Sequence, residues 1–233
     1  MPRPFITARW SELLLITFEA PEELVRRCLP PTLEPDRWAR RTHVNLVALR
    51  FGEPRVRGLR IPWLPVFPQV NLRTFARLGD ERGVWFIREL VPSGLVTLVS
   101  RLLYHQPYRR LAIRSQVMST PDEITVQYAV GRRGGKLEAT GSRAAVMPTP
   151  PPDSLEHYCK ERYWGFGAGR DGQLTRFRVE HPVWAVREVR RFACDLDWAA
   201  LFGPEWSFLS DLQPASVIYA VGSEVAIYPP VTT

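Results

Sequence analysis

Apolar and polar residues change places along this chain with a period that is mostly two. Residues 69–78 show it best. Val70, Leu72, Thr74 and Ala76 fall on one face of an extended segment, and Gln69, Asn71, Arg73, Phe75 and Arg77 on the other. A tight turn over 79–83 leads into an apolar run at 84–90, which predicts a hairpin. Segments 10–18, 43–51, 108–118, 124–130 and 137–147 also read as strands. A second hairpin is predicted over 174–180 and 183–192, turning at His181-Pro182, and two terminal strands over 216–221 and 224–228.

Helical spacing is rarer. Residues 21–28 predict a short helix with proline in its first turn, acids near its start and arginines near its end. Ser93 can cap a second helix whose apolar face is Leu95, Leu98, Val99, Leu102 and Leu103. That helix ends near His105, because Pro107 disfavours helical geometry in Gln106. Asp153 or Ser154 can cap a third, running to Tyr163, and a fourth is expected over 195–202. Residues 55–68, with Trp63 and Phe67, read as a long loop over the surface or over a pocket mouth. The glycine-rich stretch 165–172 reads as a mobile loop. Pro148 to Asp153 is either a linker or a strand-to-helix connection. Many strands without regular βαβ alternation predict a mostly antiparallel barrel or sandwich with attached helices.

Composition narrows the function classes. The 233 residues are 45% hydrophobic and 24% charged, so the chain can bury a core without disulfide or metal support. Cys28, Cys159 and Cys194 are far apart and form no CxxC or Cys/His cluster. No metal site and no cofactor is expected, and a reducing, cytoplasmic setting is. The net charge of +7 comes from 29 arginines and two lysines. The arginines are spread along the chain rather than clustered with aromatics, which argues against nucleic-acid binding. No secretory signal is expected, and no apolar run in the sequence reaches membrane-spanning length. There is no GxSxG elbow, phosphate loop or HExxH.

The candidate chemistry centres on 104–112, YHQPYRRLA. In a single strand over 108–118, Arg109 shares a face with Leu111, Ile113 and Val117. A cation there serves as a fork for a ligand carboxylate, pairs internally with Glu89, or turns to solvent. Arg73, with Gln69 and Asn71 on its face, offers a cation and amides to a cavity, or is the wet side of a strand. Tyr108 is a proton donor or a packed aromatic, and His105 a general acid or base or a helix-end group. Trp63, Trp85, Trp164 and Trp184 are expected in the core or a pocket wall. Lys136 lies in a glycine-rich turn, and Lys160, beside Glu156 and Glu161, reads as part of a solvated helix face.

Five segments in order carry a family resemblance: VNLRTFA (70–76), GVWFIREL (83–90), HQPYRRL (105–111), LEHYCKERYWGF (155–166) and VEHPVW (179–184). Together they resemble the YqjF-like family (domain of unknown function 2071) of the acetoacetate decarboxylase-like superfamily. The resemblance covers nearly the whole chain. It implies one domain over 1–233, an antiparallel cone-shaped β-barrel with short peripheral helices, a ligand cavity and often an oligomer.

In the decarboxylase a lysine forms a Schiff base, a neighbouring cation depresses its pKa, and a glutamate lies nearby. By position, Tyr108 stands at the Schiff-base lysine and Arg109 at its neighbour, and Gln69 stands where an acid would be. Neither a tyrosine nor an arginine forms an imine. The expectation is therefore a cytoplasmic protein that holds a small organic acid or carbonyl compound with Arg109, Arg73, Gln69, Asn71 and Glu89. If it is an enzyme, Tyr108 or His105 transfers a proton without an imine. The alternatives are a non-catalytic small-molecule sensor on the same barrel and, behind it, an arginine-rich nucleic-acid binder. No membrane partner is expected, and the resemblance allows a homo-oligomer.

Overall fold

The computed structural model describes residues 3–61, 64–104, 106–147, 150–169 and 172–233. Along the chain run β1 (Ile6–Glu19), α1 (Glu22–Cys28), β2 (Glu34–Pro35), β3 (His43–Val56), β4 (Leu59–Arg60), β5 (Phe67–Leu78), β6 (Glu81–Val91) and α2 (Gly94–Tyr104). Then come β7 (Tyr108–Arg110), β8 (Ile113–Ser119), β9 (Glu123–Val130), β10 (Gly135–Met147), α3 (Leu155–Lys160), β11 (Trp164–Ala168) and β12 (Leu174–Glu180). Last are β13 (Val186–Leu196), α4 (Trp198–Phe202), a 3-10 helix (Pro204–Asp211), β14 (Ser216–Ile227) and β15 (Val231–Thr232).

Seven of these strands close a barrel. Hydrogen-bonded neighbours run β12-β11-β6-β5-β3-β1-β14, and β14 pairs again with β12 through Val179–Ile227 and Glu180–Ala226. All these pairings are antiparallel except β11 with β6. Closure leaves few strand edges open. From β14 the sheet continues through β13, β10, β9 and β8. This second layer packs on the barrel's outer face.

Strand periodicity divides each barrel strand between two apolar environments. Leu14, Ile16, Leu46, Ala48, Val70 and Leu72 face outward into the main core, which includes Tyr128, Leu137, Trp198 and Trp206. Leu13, Leu15, Val47 and Leu49 alternate with them and face the barrel interior. Both faces of β5 are therefore buried.

Several elements differ from the sequence expectation. The predicted strand over 108–118 is two: Tyr108–Arg110 pairs in parallel with β6, and Leu111-Ala112 separate it from β8. Of the glycine-rich stretch 165–172, Gly165 to Ala168 belong to β11 rather than to a loop. Gly165 on β11 and Gly83 on β6 lack the Cβ that would collide with Phe177 and with the Trp164 backbone, respectively. The helix capped by Ser154 ends at Lys160, not Tyr163. The two terminal strands are one, β14, bent at Gly222, whose φ of +87° suits glycine. Trp63 and His105 lie outside the described residues.

Candidate functional site

The barrel interior contains a cavity of about 210 Å³. Its walls are hydrocarbon over most of their extent, with Trp10, Phe51, Phe67, Phe86, Phe177 and Trp184 supplying aromatic surface. Polar side chains gather where β5 and β6 meet β7 and α2. Gln69, Asn71 and Arg73 come from alternate positions of β5, Glu89 from β6, Tyr108 from β7 and Ser100 from α2.

A bulge sets this geometry. Asn71 pairs with Glu89 and Leu72 with Arg88, but Arg73 pairs with Phe86, so β6 carries one extra residue. Ile87 and Arg88 consequently both point outward. Ile87 packs on the main core and Arg88 donates to the Leu201 carbonyl at 3.0 Å. Phe86 and Glu89, three residues apart, both reach the cavity.

The polar groups are partly committed to one another. Gln69 Nε2 donates to Glu89 Oε1 at 2.8 Å and lies 3.4 Å from the Tyr108 hydroxyl. The Tyr108 hydroxyl also lies near Glu89 and Ser100. Arg73 donates from Nε to Asn45 Oδ1 (3.1 Å) and from Nη2 to the Cys159 carbonyl (3.3 Å). Its Nη1 has no acceptor among the described residues. Arg73 is enclosed by protein, and the surface it exposes belongs to the cavity. The Asn71 side chain, 3% exposed, makes no hydrogen bond among the described residues, and its Oδ1 is fully buried. Glu89 Oε2 is likewise buried without a partner.

Burial controls the charges. It pushes the Glu89 carboxyl up to about 8, against the opposing influence of Tyr108, Arg73 and Gln69. It lowers Arg73 only to about 10. Burial, with the neighbouring Glu89, holds the Tyr108 phenol well above its ordinary range. Near neutral pH the polar end therefore carries one cation, a protonated carboxyl and a neutral phenol.

A family model described as an uncharacterized conserved protein, DUF2071, matches residues 7–224. The chain belongs to the DUF2071 family. Among its relatives, the uncharacterized protein YqjF of Bacillus subtilis (strain 168) is 26% identical over 186 residues, covering 77% of this chain and 74% of YqjF. The acetoacetate decarboxylase of Legionella pneumophila has a similar structure, with a TM-score of 0.68 at 13% identity, covering 100% of this chain and 88% of that one. The enduracididine biosynthesis enzyme MppR, solved in complex with pyruvate, gives 0.63 at 11% identity over 100% of this chain and 91% of its own. The fold of this DUF2071 chain is thus the acetoacetate decarboxylase-like one.

The structure brings Gln69, Asn71, Arg73, Glu89 and Tyr108 together and leaves Arg109 out. Strand parity explains it: Tyr108 points inward, so Arg109 points out, exposed, and donates to the Ala200 carbonyl at 3.2 Å. Arg109 is therefore corrected from a cavity anchor to a surface group. Nor does it pair with Glu89, which faces the opposite way. Lys160 is corrected too. It is fully buried, paired with Glu161 and donating to the Trp184 carbonyl at 3.0 Å, with Tyr163 held on Glu161 at 2.6 Å. Sequence reading missed Ser100, which no motif marks, and Gln106, which lines the cavity and lies 3.4 Å from the Phe166 carbonyl.

Proposed function

We propose that this DUF2071 protein binds a small organic acid or carbonyl compound in the barrel cavity, with Arg73 as the anion anchor. One observation carries the reading: a buried guanidinium with an uncommitted Nη1 and no charged partner, beside an unpaired Asn71 amide. An isolated buried cation is costly, and a bound carboxylate supplies its partner. The shared fold with a protein solved in complex with pyruvate supports a ligand of this size.

Glu89 and Tyr108 are the proton-handling pair in this proposal. A carboxyl titrating near 8 can give or take a proton at neutral pH; Gln69 orients it by hydrogen bonding, and Tyr108 stands beside it. An imine plays no part. Tyr108 stands where the resemblance would have a lysine, and Lys160 is paired with Glu161 and bonded to the Trp184 carbonyl. Three free thiols suit a reducing compartment, so the proposal places the protein in the cytoplasm.

Exchange of the carbon-bound protons of pyruvate or acetoacetate into D2O, followed by NMR, tests the proton-handling role. Exchange above the buffer rate that is lost in Glu89→Gln supports it. Binding without enzyme-dependent exchange leaves a non-catalytic sensor, and the Glu89 assignment fails.

A further inference from the structure

The wall of the cavity and the rim of its mouth are both informative about the ligand's body, which the polar end alone does not define. From the arrangement of walls, head groups and rim we infer that the ligand is a monoanionic carboxylate with an apolar body, aryl or medium-length alkyl. Its head would lie on Arg73 and Asn71. The inference rests on the acid-binding reading above and narrows it.

Consider first the space. A cavity of about 210 Å³ holds the volume of about seven waters. A two- or three-carbon acid placed on Arg73 fills only the polar end. The remaining volume is bounded by side chains such as Leu15, Val47, Leu49, Phe86 and Phe177, which offer water no hydrogen bonds. Phe86 and Phe177 lie stacked, ring centroids 6.4 Å apart at 11°, as a flat wall. Apolar surface of this kind is matched by a hydrocarbon or ring, at about a fourfold gain in affinity for each buried methylene.

The head group follows from the unpaired atoms. Arg73 Nη1 is a donor, and the Asn71 amide offers one donor group and one acceptor. None is committed to a described protein group. A carboxylate accepts from both donors. Glu89, protonated near neutral pH, adds no competing charge.

The surface beside the cavity shares the apolar character of its walls. Pro54, Val56, Ile61 and Leu64 line the cavity from one side of its mouth, and Leu95 and Val96 of α2 from another. Both also expose apolar side chains to solvent: Leu59 at 76%, Val66 at 49%, Leu98 at 56% and Leu102 at 57%. An exposed apolar rim suits the body of an amphiphile. A short, strongly hydrated acid has no use for the apolar part.

The test titrates the full-length protein, following the fluorescence of the cavity tryptophans Trp10 and Trp184. The probes are acetate, hexanoate and octanoate, then pyruvate and phenylpyruvate, with hexanol as the uncharged control. Affinity should rise on the order of a hundredfold from acetate to hexanoate. Phenylpyruvate should bind at least tenfold tighter than pyruvate, and hexanoate tighter than hexanol. The alkyl and aryl arms report separately which body fits, and a rise in either supports the inference. Asn71→Leu should weaken hexanoate about tenfold and leave hexanol unchanged. The wild-type series decides the matter even if that variant fails to fold. A flat series, with acetate and pyruvate as tight as their longer counterparts, overturns the inference and leaves the acid-binding reading standing. Hexanol as tight as hexanoate, or no binding by any acid, overturns both.

Discussion

Asn71 on β5 and Glu89 on β6 stand directly opposite each other in the barrel wall, both 3% exposed, and each buries an oxygen that no described residue satisfies. A buried polar group without a partner costs about 1–3 kcal/mol. Two such groups on paired positions, beside Arg73, destabilise the barrel by choosing polarity where Val or Leu would pack. That is the pattern of a site shaped for a ligand rather than for stability. The β6 bulge adds to the argument, because regular pairing would turn one of Phe86 and Glu89 away from the cavity.

Glu89 should give stability a distinctive pH dependence. Its folded pKa of about 8 lies above the ordinary 4.5, so between those values the folded state holds a proton that the unfolded chain has lost. Stability attributable to Glu89 therefore falls as pH rises from about 4.5 to 8, by up to about 1.4 kcal/mol per pH unit, and levels off above. Urea denaturation at pH 5 to 8 should show this slope in the wild type relative to Glu89→Gln. Parallel curves would mean that Glu89 ionises normally.

Replacing Arg73 should separate binding from folding. Arg73→Met removes a desolvated cation, which favours folding, and strips partners from Asn45 Oδ1 and the Cys159 carbonyl, which opposes it. The two effects offset to within about 1 kcal/mol, while stabilisation by hexanoate disappears. Denaturation with and without the acid checks both halves.

Lys160 should prove structural. Breaking a pair whose side chains are 0% and 4% exposed leaves Glu161 buried and unmatched. Lys160→Met should therefore cost about 3–5 kcal/mol in urea denaturation. Borohydride added to the wild type with pyruvate should leave the intact mass unchanged. A trapped adduct at Lys160 would restore imine chemistry to the site.

Gly165 on β11 should act on the cavity from behind its wall. A Cβ there would lie 2.3 Å from Cζ of Phe177, whose ring has the cavity to move into. Gly165→Ala should therefore fold and lose affinity for phenylpyruvate more than for pyruvate. Equal loss for both would place the displaced ring elsewhere.

Much of the site was legible in one strand. The alternation over 69–78 puts Gln69, Asn71 and Arg73 on one face, and the structure keeps them there. Which face meets the cavity was not legible, because both faces of β5 are buried and local polarity is the only cue. The bulge at Ile87 and Arg88 leaves no trace in composition, so the convergence of Phe86 with Glu89 could not be read. Arg109 was misplaced because 108–118 reads as one strand. The break at Leu111-Ala112 and the inward turn of Tyr108 send it out to the Ala200 carbonyl. Lys160 was misread because two neighbouring acids suggest solvent, whereas the short α3 ends there and its last side chain is buried against Glu161 and the Trp184 carbonyl.

The most direct measurement is a thermal-shift titration with hexanoate and phenylpyruvate on the wild type, Arg73→Met and Arg109→Ala. At about a hundredfold over its dissociation constant a ligand adds roughly 2.7 kcal/mol of stability. The wild type and Arg109→Ala should show that shift and Arg73→Met none. No shift in any of the three, or a shift that Arg109→Ala abolishes and Arg73→Met retains, would contradict an anion site inside the barrel.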